Sequence, residues 1–258
     1  MNLDQADIDY LSGVCHEAGR AILEVYESDF AVEEKKDASP LTEADLRAHR
    51  IITGRLRERW PEIPVLSEES ASHKAYEERR GWTRFWLVDP LDGTKEFVKR
   101  NGQFTVNIAL IEQGRPVAGF VYAPVTGVLY HGSVGGAFKS EPGSEPRRLP
   151  CADPAPKSTL RIVGSLSHQS PQMLEFLAEQ KLKHRHVEFV PMGSSLKLCL
   201  VAEGAADIYP RYGPTMEWDT AAAHAVVNAA GRRVTHHDSD DELHYNKPDL
   251  HNPWFIVR

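Results

Sequence analysis

Asp89 and Asp92 stand three residues apart at the end of an apolar run, Phe85-Trp-Leu-Val88, with Gly93-Thr94 directly behind them. The run has β character, so it delivers two carboxylates together into a turn. Pro90 has no N–H and a fixed φ, which predicts that the strand ends there, and Gly93 relaxes the backbone where the chain turns again. Two acids at this spacing, backed by small residues, suit a hard cation that also holds a phosphate. A turn cap would account for Asp92 but leaves Asp89 unexplained. Leu91, between them, can offer its carbonyl to a cation while its side chain packs inward. Gly93-Thr94 would direct backbone N–H groups towards an anion.

Other acids and polar groups can converge on that turn. Glu68 and Glu69 follow the short strand Pro64-Val-Leu-Ser67. Such pairs are commonly solvated edges, but a strand entering the same sheet as 85–88 would bring them to one site. Asp219, after Trp218, opens an Ala-rich helical run and reads as either an N-cap or a ligand. Thr42 and Asp45 have the spacing of a helix cap. Carboxylates that converge without cations repel one another and take up protons, so convergence calls for divalent metal. Oxygen ligands with no clustered His or Cys favour Mg²⁺ or Mn²⁺ over zinc. Met192-Gly193-Ser194-Ser195-Leu196-Lys197 opens a helix after a strand, adding two hydroxyls and a lysine, or simply a Ser cap. Arg211 and Tyr212 lie just before Trp218-Asp219 and can reach an anionic group and a ring face.

The elements that must position these residues follow from periodicity. Helical spacing over 5–27 and 43–59 predicts two amphipathic helices, the second ended by Pro61, with a charged loop over 33–37 between them. Residues 70–80 read as a polar exposed segment. Residues 104–139 read as an antiparallel meander, and 140–158 as a linker or exposed loop. Beyond it strands and helices alternate: strands over 161–164, 187–190 and 206–209, helices over 171–180, 194–202 and 219–230, and a closing strand over 253–257. His236-His237 reads as exposed loop. The expected class is α+β, a helix pair with a mixed sheet over 1–145 and a β/α half over 146–258, closely packed as one functional unit.

Bulk properties narrow the function. A net charge of -7, from 30 basic and 37 acidic residues, argues against a nucleic-acid duplex as partner. A small anionic substrate remains compatible, because metal supplies local positive charge. Cys15, Cys151 and Cys199 are widely spaced, which indicates neither a disulfide framework nor a zinc cluster. The first residues carry acids and no long apolar core, so they do not read as a signal peptide. No run approaches the roughly 18 apolar residues of a membrane span. The expectation is a cytoplasmic protein; peripheral attachment to the inner face of the membrane and a homodimer are left open.

Taken together, these motifs resemble the lithium-sensitive, magnesium-dependent phosphatases of the inositol monophosphatase superfamily. Asp89-Pro-Leu-Asp-Gly-Thr94 looks like its first signature and Trp218-Asp-Thr-Ala-Ala222 like its second. The runs 64–69, 86–107, 193–197 and 209–215 are similar to one branch, the bacterial CysQ-type 3'(2'),5'-bisphosphate nucleotidases. The resemblance implies a layered α-β-α-β fold and two or three Mg²⁺ per site, with Mn²⁺ as a substitute. It implies metal ligation by Glu68, Asp89, the Leu91 carbonyl, Asp92 and Asp219. It also implies water activation by Asp45 and Thr94, with Glu69 in support. Ser194, Ser195, Lys197 and Arg211 would face the nucleotide, beside Glu68, Leu91, Asp92, Gly93, Thr94 and Asp219. The implied reaction removes the 3'-phosphate of adenosine 3',5'-bisphosphate, or of 3'-phosphoadenylyl sulfate. Inositol or sugar monophosphate hydrolysis on the same metal core is the nearest competitor, and a non-catalytic nucleotide sensor the competitor from another class. One departure is Ala223, where the second signature usually has Gly; its methyl is expected to narrow the pocket.

Overall fold

The structure is a computed structural model that describes residues 2–28, 32–34, 40–152, 156, 158–165 and 170–258. The side chain of Thr42 and the loop over 35–37 lie outside the described residues. The chain opens with α1 (Gln5–Tyr26), where Asp4 and Asp7 form a reciprocal capping box. A short hairpin, β1 (Val32–Glu34) and β2 (Pro40–Thr42), leads into α2 (Glu43–Arg59), whose bounds match the periodicity. Leu11, Val14, Cys15, Ala18 and Ile22 of α1 face Ala44, Ala48, Ile52 and Leu56 of α2, all buried. Such an apolar stripe is what holds a helix pair on a sheet.

That sheet has seven strands in the order β3 (Val65–Ser67), β4 (Arg84–Asp92), β5 (Thr105–Glu112), β6 (Arg115–Ala123), β7 (Val128–Ser133), β8 (Gly136–Ser140) and β9 (Arg147–Arg148). Only β3 and β4 run parallel; the remaining pairs are antiparallel, so the predicted meander is present. Alternation sends Trp86 and Val88 into the core beneath α1 and α2, and Phe85 and Leu87 into the core on the opposite face. Both faces of β4 are buried, each large side chain contributing about 1.5–3 kcal/mol.

The opposite face is covered by α7 (Leu196–Glu203) and α8 (Glu217–Ala229). Beyond them lies the second set of strands. In it β10 (Thr159–Gly164) pairs parallel with β11 (His186–Pro191), flanked by α6 (Pro171–Lys183). A parallel bridge from Ile162 to Ile208 joins this pair to the strands β12 (Tyr209–Arg211), β14 (Phe255–Val257) and β13 (Val234–His236). The layers therefore run α-β-α-β, as expected. One continuous core cluster draws on both sides of residue 145, from Phe85 and Ala109 to Trp218 and Val226.

Several expectations need correction. Strand β4 does not stop at Pro90. It continues to Asp92 through a bulge, the register passing from Asp89↔Asn107 to Asp92↔Thr105 with one extra residue on β4. The bulge absorbs the missing proline donor without ending the strand. The segment 70–80 is not uniformly exposed: it holds part of α3 (Glu68–Ala71) and all of α4 (Tyr76–Arg79). Arg79 is buried there, donating to Asn246 Oδ1 and to the carbonyls of Lys247 and Pro248. The stretch 140–158 contributes β9 and the buried Leu149, so part of it belongs to the sheet. His236 lies in β13, and His237 packs against Tyr212 and Trp254.

Candidate active site

The bulge in β4 is what turns both acids of the motif to one side. Asp89 is almost fully buried, and its Oδ1 accepts the Leu91 N–H at 3.1 Å. The Leu91 side chain packs inward, 1% exposed, while its carbonyl oxygen lies 3.5 Å from the Thr94 hydroxyl, which donates to it. Gly93 follows in the left-handed region (φ 95°), a conformation that residues with a Cβ rarely adopt, and starts α5 (Thr94–Val98). Asp219 arrives from α8. It is not the N-cap but the third helical residue, its Oδ2 accepting the Met216 N–H at 2.9 Å.

Asp89, Asp92 and Asp219 each offer an oxygen within 4.8 Å of the others. Burial pushes the Asp89 carboxyl well above its ordinary range, and Glu68, Asp92, Asp219 and Asp45 push it further. Asp219 is likewise raised by burial and by Asp92, against the pull of the Met216 N–H. Two buried acids whose ionisation is opposed by burial and by neighbouring carboxylates fit a divalent cation, whose charge would offset both penalties. Glu68 stands outside this tight trio but lines the same cleft. Asp45 is fully buried on α2, within electrostatic reach of Asp89.

The acids form one wall of a cleft of about 710 Å³. Glu68, Asp89, Leu91, Asp92, Gly93, Thr94, Arg211 and Asp219 all line it. Tyr212 lines it too, held edge-on by Trp254 at 5.7 Å. Behind Asp92 and Asp219 lies an inner chamber of about 130 Å³, reached by Ser194, Lys197, Arg211 and Thr215. Lys197 is 7% exposed there; burial lowers its pKa to about 8, although Asp92 pulls it up. Its Nζ donates to the Ser194 carbonyl at 2.5 Å.

Three expected placements differ. Ser195 does not face the cleft. It is 1% exposed and bonded to Asp92, because Ser194 takes a positive φ of 45° and turns the next residue under the acids. Glu69, expected in support of the water-activating pair, does not line the cleft itself; it acts on His49 of α2, whose pKa burial lowers and Glu69 raises. Adjacent residues on a helical turn point about 100° apart, which lets Glu68 line the cleft while Glu69 turns away from it. The Ala223 methyl is buried in the core cluster and does not line the cleft. Sequence reasoning also missed Gly164, Ser165, Met173 and His251 on the far wall. These small or isolated residues carry no spacing signal; the packing of β10 and α6 brings the first three there, and an antiparallel bridge to Met216 brings His251.

The inositol monophosphatase family profile matches residues 4–254. The chain is 47% identical over 253 residues to a Salmonella typhimurium protein named 3'(2'),5'-bisphosphate nucleotidase CysQ, covering 97% of this chain and 98% of that one. The crystal structure of CysQ from Bacteroides thetaiotaomicron superposes with a TM-score of 0.86 at 44% identity, over 97% of this chain and 96% of that one. The extragenic suppressor protein suhB from Bartonella henselae superposes with a TM-score of 0.74 at 26% identity, over 98% and 93%. With the acid trio in place on this layered fold, the chain belongs to the inositol monophosphatase family.

Proposed function

We propose that the chain is a Mg²⁺-dependent 3'(2'),5'-bisphosphate nucleotidase. It removes the 3'-phosphate of adenosine 3',5'-bisphosphate to give AMP and phosphate, and acts likewise on 3'-phosphoadenylyl sulfate. The observation that carries the reading is the acid trio beside two cationic side chains: Arg211 lines the cleft with all three acids, and Lys197 lines the inner chamber that shares Asp92 and Asp219 with it. A bare polyol phosphate needs only the first; a nucleotide with two anionic groups uses both. The relatives named 3'(2'),5'-bisphosphate nucleotidase support the same assignment.

In this reading Glu68, Asp89, the Leu91 carbonyl, Asp92 and Asp219 hold two or three Mg²⁺, with Mn²⁺ as a substitute. The ions would neutralise the phosphate, acidify the attacking water and stabilise the leaving 3'-oxygen. The protein's own part is mainly positioning. Asp45 and Thr94 orient the water and take its proton, so the attack runs in line with the departing oxygen. Gly93 and Thr94 present backbone N–H groups to the phosphate. Ser194, Lys197 and Arg211 receive the second anionic group, and Tyr212 offers a ring face to the base. Segments 1–145 and 146–258 act as one unit, the first contributing Asp89 and Asp92 and the second Asp219 and the cations. Among the described residues no helix is long and apolar enough to cross a membrane. The buried thiols of Cys15 and Cys199 suit the cytoplasm.

Phosphate release with Mg²⁺ on a panel of adenosine 3',5'-bisphosphate, 3'-phosphoadenylyl sulfate and inositol 1-phosphate, with and without lithium, tests the assignment. The bisphosphate should exceed inositol 1-phosphate in kcat/KM by at least about 100-fold, because the smaller substrate offers no second anionic group to Lys197 and Arg211. Equal turnover would move the function to monophosphate hydrolysis. No release from any substrate would leave a binding protein.

A further inference from the structure

The carboxylate of Asp92 is held by a residue from the other end of the chain. Ser195 donates its backbone N–H to Asp92 Oδ2 at 2.6 Å, and its Oγ lies 2.7 Å from the same oxygen. That Oγ is also 2.8 Å from the Asp219 backbone carbonyl oxygen. A fourth group completes the set: Asn107 Nδ2, from β5 directly opposite Asp89, is 2.8 Å from Ser195 Oγ. Asn107 and Ser195 are each 1% exposed, and neither lines the cleft or its inner chamber.

Hydrogen-bond accounting fixes the orientation of the Asn107 amide. A serine hydroxyl has one proton and two lone pairs. Asp92 Oδ2 and the Asp219 carbonyl can only accept, so the Ser195 proton goes to one of them. Asn107 must then donate; turned over, its Oδ1 would place a third acceptor around a single proton. This orientation leaves Asn107 Oδ1 buried with no hydrogen-bond partner among the described residues. A buried amide with an unpaired oxygen costs stability, so its donor must be serving something. With Ser195 occupying Oδ2, the acceptor capacity left to Asp92 lies on Oδ1.

We propose that Asn107 and Ser195 are positioning residues for the cation site. Asn107 directs the Ser195 proton to the Asp92–Asp219 pair, and Ser195 fixes the two acids, one from β4 and one from α8, at the spacing a shared cation requires. The proposal rests on the metal reading above. Groups that orient metal ligands in this way are worth about 10–100-fold in metal affinity.

Isothermal titration of Mn²⁺ into the wild type, Ser195→Ala, Asn107→Ala and the double variant tests this, with melting temperatures recorded in EDTA. Each single substitution should raise the Mn²⁺ dissociation constant by about tenfold or more. The double variant should bind no more weakly than Ser195→Ala, because Asn107 acts through the hydroxyl. Binding within twofold of wild type in both single variants overturns the proposal, whatever their melting temperatures. Fully additive losses overturn the order Asn107 through Ser195. A wild type that binds no Mn²⁺ overturns the metal reading and this proposal with it.

Discussion

Helix α8 carries Asp219 and lies directly on the sheet that carries Asp89 and Asp92, so the backbone contact between them sets the geometry of the site. Gly119 of β6 is the closest point. A Cβ built there would sit 2.0 Å from the Ala222 carbonyl oxygen and 2.8 Å from its carbonyl carbon, and at Gly132 it would sit 2.6 Å from Val226 Cα. Backbone atoms cannot swing aside as a side chain can. For Gly119→Ala, raising a 2.0 Å contact to the 3.4 Å of ordinary packing requires about 1.4 Å of separation between helix and sheet. Asp219 lies three residues from Ala222, less than one turn away, and moves with it. Metal ligands tolerate only about 0.2 Å, so the trio would no longer close on one ion. Overpacking of this kind costs about 1–3 kcal/mol, which at this chain length lowers the melting temperature by several degrees. Gly13→Ala and Gly54→Ala supply the control: both lie in helices with nothing within 4 Å, and each should stabilise by up to about 1 kcal/mol. Thermal denaturation in EDTA, Mn²⁺ titration and phosphate release would be measured on all three. Gly119→Ala that melts with the wild type and keeps its turnover would refute the reasoning.

Two further outcomes follow from the charges. Asp92→Asn should lower phosphate release by about 100-fold or more, and Mg²⁺ should raise the melting temperature of the wild type but not of the variant. Without metal the variant should melt no lower than the wild type, since one repelling charge beside Asp89 and Asp219 is gone; near wild-type turnover would sink the ligand assignment. His224 is fully enclosed, its Nδ1 2.9 Å from the Tyr245 hydroxyl, and burial lowers its pKa to about 3. Between pH 6.5 and about 3 the unfolded chain therefore binds the extra proton, so stability falls on acidification by up to about 1.4 kcal/mol per pH unit. Urea denaturation at pH 7 and pH 5 should show a shallower loss for His224→Gln, and identical slopes would exclude His224 as the cause.

The motif Asp89–Thr94, both leading helices and the meander were legible because each rests on local rules of apolar period and turn chemistry; the layered arrangement was legible only through the family resemblance. The cations beside the acids were legible as residues but not as places. Ser194 and Ser195 look equivalent in sequence, yet one lines the inner chamber and the other lies beneath Asp92, because a single positive φ at Ser194 separates them. Glu68 and Glu69 divide in the same way across one helical turn. Asn107 carried no signal, since a lone polar residue in an apolar strand shows its purpose only when its partner, 88 positions later, is in place. By itself the sequence determined which elements form and which carboxylates they carry, because those depend on neighbours along the chain. Only the tertiary structure decided which oxygens meet, at what spacing and held by whom, because that depends on α8 lying backbone-to-backbone on Gly119 and on β5 placing Asn107 behind the bulge.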